Sequence, residues 1–275
     1  MSERDLAEAP PRRPRADGRS ARPRGLSRRP VAIAGAAALV AVAVGTALWL
    51  RAPAFGDDFA GPDGLVTNEF AYHNPTDPRA VQSPSWWVTS GSLFRQQGTG
   101  WTGRLDDRTP DPASSTGTHS STFRMVSRGA FGDVDLSLRL RIDAYASSAD
   151  DVTWSGVHLF LRYRDEYSLY AVSVGRRDGV LGVKKKVAGG DSNNGTYFVL
   201  AERRAAQLAP GWHDVRARAV DDGGGVTITL DVDGVQRLTA RDAGVGGPPL
   251  TGEGRVGVRG DNTEFHFDDV TVDGA

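Results

Sequence analysis

Residues 212–238 read WHDVRARAVDDGGGVTITLDVDGVQRL. Apolar and polar residues alternate over 215–220 and again over 226–232, the period-two pattern of a half-buried strand. Between the two runs lies Asp221-Asp222-Gly223-Gly224-Gly225, and after the second comes Asp233-Gly234. An Asp-Gly pair between alternating runs predicts a tight hairpin turn whose two central residues take positive φ. The stretch is therefore read as three consecutive antiparallel strands. The same texture extends outward, through residues 134–142, 156–163, 167–174 and 180–187 on one side and 255–259 and 264–272 on the other. Long helical periodicity is missing from Phe55 onward. With no internal repeat and no second linker, residues 55–275 predict one all-β domain. At about 220 residues it is too large for an immunoglobulin-type unit of about 100, and it suits an antiparallel jelly-roll β-sandwich.

The N-terminal region differs in kind. Residues 1–30 hold nine arginines against four acids, a net of +5, although the whole chain carries −1. Rich in Arg, Pro and Ala, this segment is read as a disordered tail, placed in the cytoplasm; its role is orientation, not nucleic-acid binding. Residues 31–50, VAIAGAAALVAVAVGTALWL, carry no charge, and a helix of that length spans about 30 Å, the hydrocarbon core of a bilayer. Two readings stand. Length favours an uncleaved transmembrane anchor, which puts residues 55–275 outside the cell; Ala52-Pro53-Ala54 resembles a signal-peptide cleavage site, and a cut after Ala54 makes the domain secreted. The chain has no cysteine, so disulfides and thiolate chemistry are excluded.

Several pieces of the outer domain carry a family resemblance. They are Asp57-Asp58-Phe59 at its start, Gly211-Trp212-His213-Asp214-Val215-Arg216 before the hairpin, Asp231-Val232-Asp233-Gly234 at its turn, and Gly254-Arg255-Val256-Gly257-Val258 before Phe267-Asp268-Asp269-Val270. In this order they resemble the concanavalin A-like jelly-roll superfamily, which includes laminin G-like and glucanase-like domains. The chain is similar to 3-keto-disaccharide hydrolase-like domains and, more loosely, to jelly-roll polysaccharide lyases. The resemblance implies a sugar-binding groove on one open sheet face.

Residues 156–198 concentrate the groups suited to such a groove. If Val157, Leu159 and Leu161 face the core, alternation turns His158 and Arg162 outward. Lys184 and Lys186 point opposite to Leu181, Val183 and Val187 by the same rule. With Tyr170 and Tyr197 these residues form the expected substrate-binding set for an anionic glycan: arginine matches a carboxylate bidentately, lysine adds a point charge, and tyrosine stacks on sugar rings. The competing reading is a solvated basic face with core tyrosines. A lyase acting in the same groove would use His158, Arg162, Tyr170 and Lys184 to neutralise a uronate and abstract its proton. Whether the domain binds, cleaves, or serves as a structural adhesion module is left open. A retaining glucanase is disfavoured, because no Glu pair has the spacing such enzymes need. No Gly-x-Ser-x-Gly elbow and no zinc-type histidine spacing occurs. A structural calcium ion is the one cofactor expected, with Asp58 and Asp268 as ligands, since the first and last strands of this fold are often neighbours. Residues 68–101 are read as loop-rich, with Trp86 and Trp87 on opposite faces and the tryptophans mainly core.

Overall fold

The computed structural model describes residues 54–69, 80–105, 115–116, 119–120, 122–146, 152–192 and 194–275. These belong to the second of the chain's two units, Ala52–Ala275. The tail at 1–30 and the apolar run at 31–50 lie outside the described residues. Among the described residues no helix is long and apolar enough to cross a membrane.

Among the described residues the regular secondary structure is all strand. The first half contains β1 (Phe55–Asp57), β2 (Gly64–Thr67), β3 (Trp86–Ser90), β4 (Leu93–Gln96), β5 (Thr99–Trp101), β6 (Ser115–Thr116), β7 (His119–Ser120), β8 (Thr122–Ser127) and β9 (Val134–Tyr145). The second half contains β10 (Gly156–Asp165), β11 (Ser168–Arg176), β12 (Val180–Ala188), β13 (Gly195–Arg204), β14 (His213–Asp221), β15 (Val226–Val232), β16 (Val235–Asp242), β17 (Arg255–Asp261) and β18 (Thr263–Gly274). One antiparallel sheet runs β16-β15-β14-β9-β18-β5-β4-β2, with β1 also on β18; the second runs β13-β12-β11-β10-β17-β8-β3, and β6 and β7 pair by themselves.

Both sheets contribute to one core. Leu136, Leu140, Val215, Ile228 and Phe267 come from the first sheet, and Val157, Leu159, Tyr170, Val172 and Val258 from the second. The phase of each strand follows its alternation: in β15, Val226, Ile228, Leu230 and Val232 are buried between half-buried polar residues. Asp233 (φ 53°) and Gly234 (φ 73°) form the β15–β16 turn with positive φ at both positions, as their sequence predicts. Trp86 is buried and donates from Nε1 to Asp57 Oδ2 at 2.6 Å. Trp87, on the opposite face, lies 5.7 Å beneath the Arg255 guanidinium.

The region read as loop-rich, 68–101, holds β3, β4 and β5, and residues 195–204 form β13. The former strands have only three to five residues. That is too short for alternation to register, and tertiary pairing makes them strands.

Candidate functional site

The second sheet has a face turned away from the core, and that face carries the site. On β10, His158 and Phe160 point outward while Val157, Leu159 and Leu161 point in. On β11 the outward set is Leu169, Ala171 and Ser173; on β12 it is Lys184 and Lys186. These residues, with Arg124 of β8, Arg259 and Asp261 of β17 and Tyr197 of β13, line a cavity of about 500 Å³. Register explains the convergence. Arg124, Arg259, His158 and Ser173 are directly opposite one another across four neighbouring strands. A parallel row runs Leu169, Lys186, Tyr197. Trp154, Glu166 and Asp191 form parts of the wall. A small apolar cluster of Val126, Phe160, Tyr163, Leu169 and Ala171 supports the floor, with Phe160 and Tyr163 stacked at 5.7 Å.

The polar groups are tightly held. His158 Nδ1 is 2.9 Å from Ser173 Oγ, and its Nε2 is 3.5 Å from Asp261 Oδ2. Burial drives the His158 pKa down to about 4, against the opposing pull of Asp261, with Arg259, Arg176 and Lys184 lowering it further. The imidazole is therefore neutral at neutral pH. Arg259 donates from Nη2 to Asp261 Oδ1 at 2.8 Å and from Nη1 to the Tyr197 hydroxyl at 3.2 Å. Lys184 lies 3.4 Å from Glu202. Burial raises the Tyr163 phenol to about 12.

The His158 shift has a sign that can be measured. The unfolded chain takes up a proton near pH 6.5 and the folded one only near pH 4. Stability present above pH 6.5 is thus lost as pH falls toward 4, by up to about 3 kcal/mol from this one group. Urea unfolding at pH 7 and pH 4.5 should show a steeper loss for the native chain than for His158→Gln. Equal losses would contradict a buried neutral imidazole.

Four of the six residues expected to bind substrate, His158, Lys184, Lys186 and Tyr197, meet in this cavity. Arg162 and Tyr170 do not. A β-bulge falls between Phe160 and Tyr163, where three steps along β10 oppose two along β17. Arg162 sits in the bulge with φ 51°, so the extra residue inverts the alternation and Tyr163 takes the outward position. The Arg162 side chain is fully buried, and its Nη2 reaches Asp133 at 2.8 Å and Asp221 at 3.1 Å. Tyr170 keeps its register but lies in the phase of Val172 and Val174, on the core side. Its hydroxyl donates to Asp242 Oδ2 at 2.6 Å and accepts from the Leu250 N–H. The lyase assignment for Arg162 and Tyr170 therefore loses its geometry.

Arg124, Arg259, Asp261, Ser173 and Trp154 are lining residues that the sequence reading did not select. Arg259 was legible, as the polar position following Val256 and Val258; Arg124 lies in a run, residues 122–127, that does not alternate.

The two aspartates expected at a calcium ion belong to another region. Asp58 Oδ1 accepts the Ala60 N–H at 3.0 Å, closing a turn. Asp268 lies 3.9 Å from Arg139, and burial, followed by Asp269 and Asp58, raises its pKa despite opposing contacts. Among the described residues no group of three or more His, Asp or Glu side chains is placed to hold a metal ion. Calcium prefers six to eight oxygens, more than the two expected carboxylates supply.

Neither a family model nor a curated protein matches the chain. Among solved structures, a protein of unknown function with a galectin-like fold from Bacillus subtilis aligns at a TM-score of 0.51 and 12% identity, covering 82% of this chain and 96% of that one. The fold is galectin-like, built of antiparallel sheets. Also similar are carbohydrate-binding module CBM66 from Bacillus subtilis (TM-score 0.48, 15% identity, 68% of this chain and 94% of that one) and an endo-1,3-β-glucanase from Streptomyces sioyaensis (0.47, 12%, 80% and 95%). At such identities the likeness concerns the jelly roll and not the chemistry grafted on it.

Proposed function

We propose that this jelly roll is a carbohydrate-binding domain, held at the outer surface of a membrane by residues 31–50, with an anionic glycan seated on the outer face of the second sheet. The observation that carries the reading is the cavity itself. Its volume of about 500 Å³ falls in the range of small-ligand sites. It combines aromatic surface from Trp154, Tyr163 and Tyr197 with hydrogen-bonding groups on Ser173, Lys184 and Asp191. Aromatic faces for sugar rings and polar groups for hydroxyls are what saccharide recognition requires. Binding is favoured over hydrolysis because the one buried acid at the cavity, Asp261, is held by Arg259 at 2.7 Å.

Trp154 offers the direct test, since it is 48% exposed and its removal leaves the core untouched. Membranes from cells carrying an N-terminally tagged chain should retain the tag and bind labelled oligosaccharide from a mixed neutral and acidic panel. Trp154→Ala should weaken that binding about tenfold with unchanged melting temperature. Tag loss from the membrane would reject the anchor. Unaltered binding in Trp154→Ala would move the glycan off this face.

A further inference from the structure

Three cations converge at one end of the cavity, and of the acids near them only Asp261 is hydrogen-bonded to one. Arg124 and Arg259 are direct cross-strand partners. Like charges in that relation repel. Lys186 comes from β12, with its ammonium 5.2 Å from the Tyr197 ring centre and 5.5 Å from that of Tyr167. Burial, then Arg259 and Arg124, pushes the Lys186 pKa below the usual lysine value. Burial, then Arg259, does the same to Arg124.

The available counter-charges are few. Asp261 is bonded to Arg259. Glu166, half-exposed, stands 3.7 Å from Arg124, beyond hydrogen-bond length. Arg124 Nε is buried with no hydrogen-bond partner. Among the described residues no carboxylate lies within ion-pair distance of Lys186; Glu166 and Asp165 act on it only from further off. Two guanidinium groups and a tyrosine-flanked ammonium thus border the cavity.

From this we infer that Arg124, Arg259 and Lys186 form an oxyanion subsite that receives the carboxylate of an acidic sugar residue. The inference rests on the saccharide-binding reading and gives it a ligand class: glycans bearing uronate-type carboxylates. The planar guanidinium matches a carboxylate with two parallel N–H donors, and the ammonium adds a point charge. Binding there relieves the repulsion between the two arginines. The acidic glycan should therefore raise the melting temperature as well as bind.

The test uses the full-length chain and oligosaccharides of glucuronate, galacturonate and mannuronate, each paired with its carboxyl-reduced neutral counterpart, titrated by calorimetry. At least one acidic form is expected to bind ten- to a hundredfold more tightly than its reduced partner, with affinity falling as salt rises. Lys186→Met should erase most of that difference. The acid–neutral comparison on the native chain needs no variant, so a misfolded Lys186→Met cannot blur the outcome. Equal affinity for both forms overturns the oxyanion subsite while saccharide binding stands. Binding of neither form overturns both.

Discussion

Asp242→Ala is expected to lower the unfolding free energy by about 3–5 kcal/mol, a large share of the 5–15 kcal/mol typical of a domain. Asp242 and Lys185 are both fully buried and 2.9 Å apart. Lys185 also donates to the Gly247 carbonyl at 2.8 Å. Asp242 accepts from the Tyr170 hydroxyl and, through Oδ1, from the N–H groups of Gly244 and Val245. Burial alone would raise its pKa; the bonds from Tyr170, Lys185 and Gly244 outweigh it and hold the carboxyl below the usual range. Removing the carboxylate strands an ammonium in the core and leaves a phenol and two N–H groups without an acceptor. Urea denaturation at pH 7 reads the loss directly. Asp242→Asn, which keeps an acceptor oxygen but no charge, should fall between. A double replacement by Lys185→Met and Asp242→Leu should recover much of the loss, because a packed apolar pair avoids the desolvation cost. A change below about 1 kcal/mol in Asp242→Ala would show that this network contributes little.

Gly156→Ala should cost a similar amount, about 3–5 kcal/mol, by a steric route. Gly156 has φ 150°, and a Cβ added there would stand 2.0 Å from the Gly175 carbonyl oxygen and 2.6 Å from Arg176 Cα. Both obstacles are backbone, so two neighbouring strands must part. Gly156 is paired with Arg176 on one side and Asp261 on the other, and His158 is two residues along. The strain therefore reaches the cavity, and oligosaccharide affinity should fall together with stability. Thermal melting and calorimetry on the same sample check both. A variant within about 1 kcal/mol of the native chain would mean that β10 and β11 adapt more freely than their register implies.

The contrast between Lys186 and Arg162 shows where reading by alternation works and where it stops. In the run Val183-Lys184-Lys185-Lys186 the period-two rule holds without interruption. Lys184 and Lys186 reach the outer face, and Lys185, in phase with Val183, is drawn into the core, where Asp242 neutralises it. Arg162 obeys the same rule until the bulge, where one added residue reverses every side chain after it. Nothing in LRYRD marks that event locally. Its enabling feature is remote: a Cβ at Gly254 would lie 2.5 Å from the Arg162 backbone, so the glycine leaves room for the bulge. Arg124 escaped notice for a different reason. Its strand is buried on both faces in most positions, so TFRMVS has no alternation to read.

The sequence by itself determined the class of the domain, the phase of its regular strands and the Asp233-Gly234 turn. Each of these rests on local chemistry: side-chain alternation along a pleated backbone and the positive φ that Asp-Gly tolerates. It also showed that basic residues cluster between 158 and 186. Only the tertiary structure decided which of those charges share a surface. That depends on register between strands distant in sequence, which places Arg124 beside Arg259 and Lys186 beside Tyr197, and on one bulge that withdraws Arg162. The strands of 212–238 mark the domain as antiparallel β, but the candidate site lies on the other sheet, assembled by pairings that no local stretch contains.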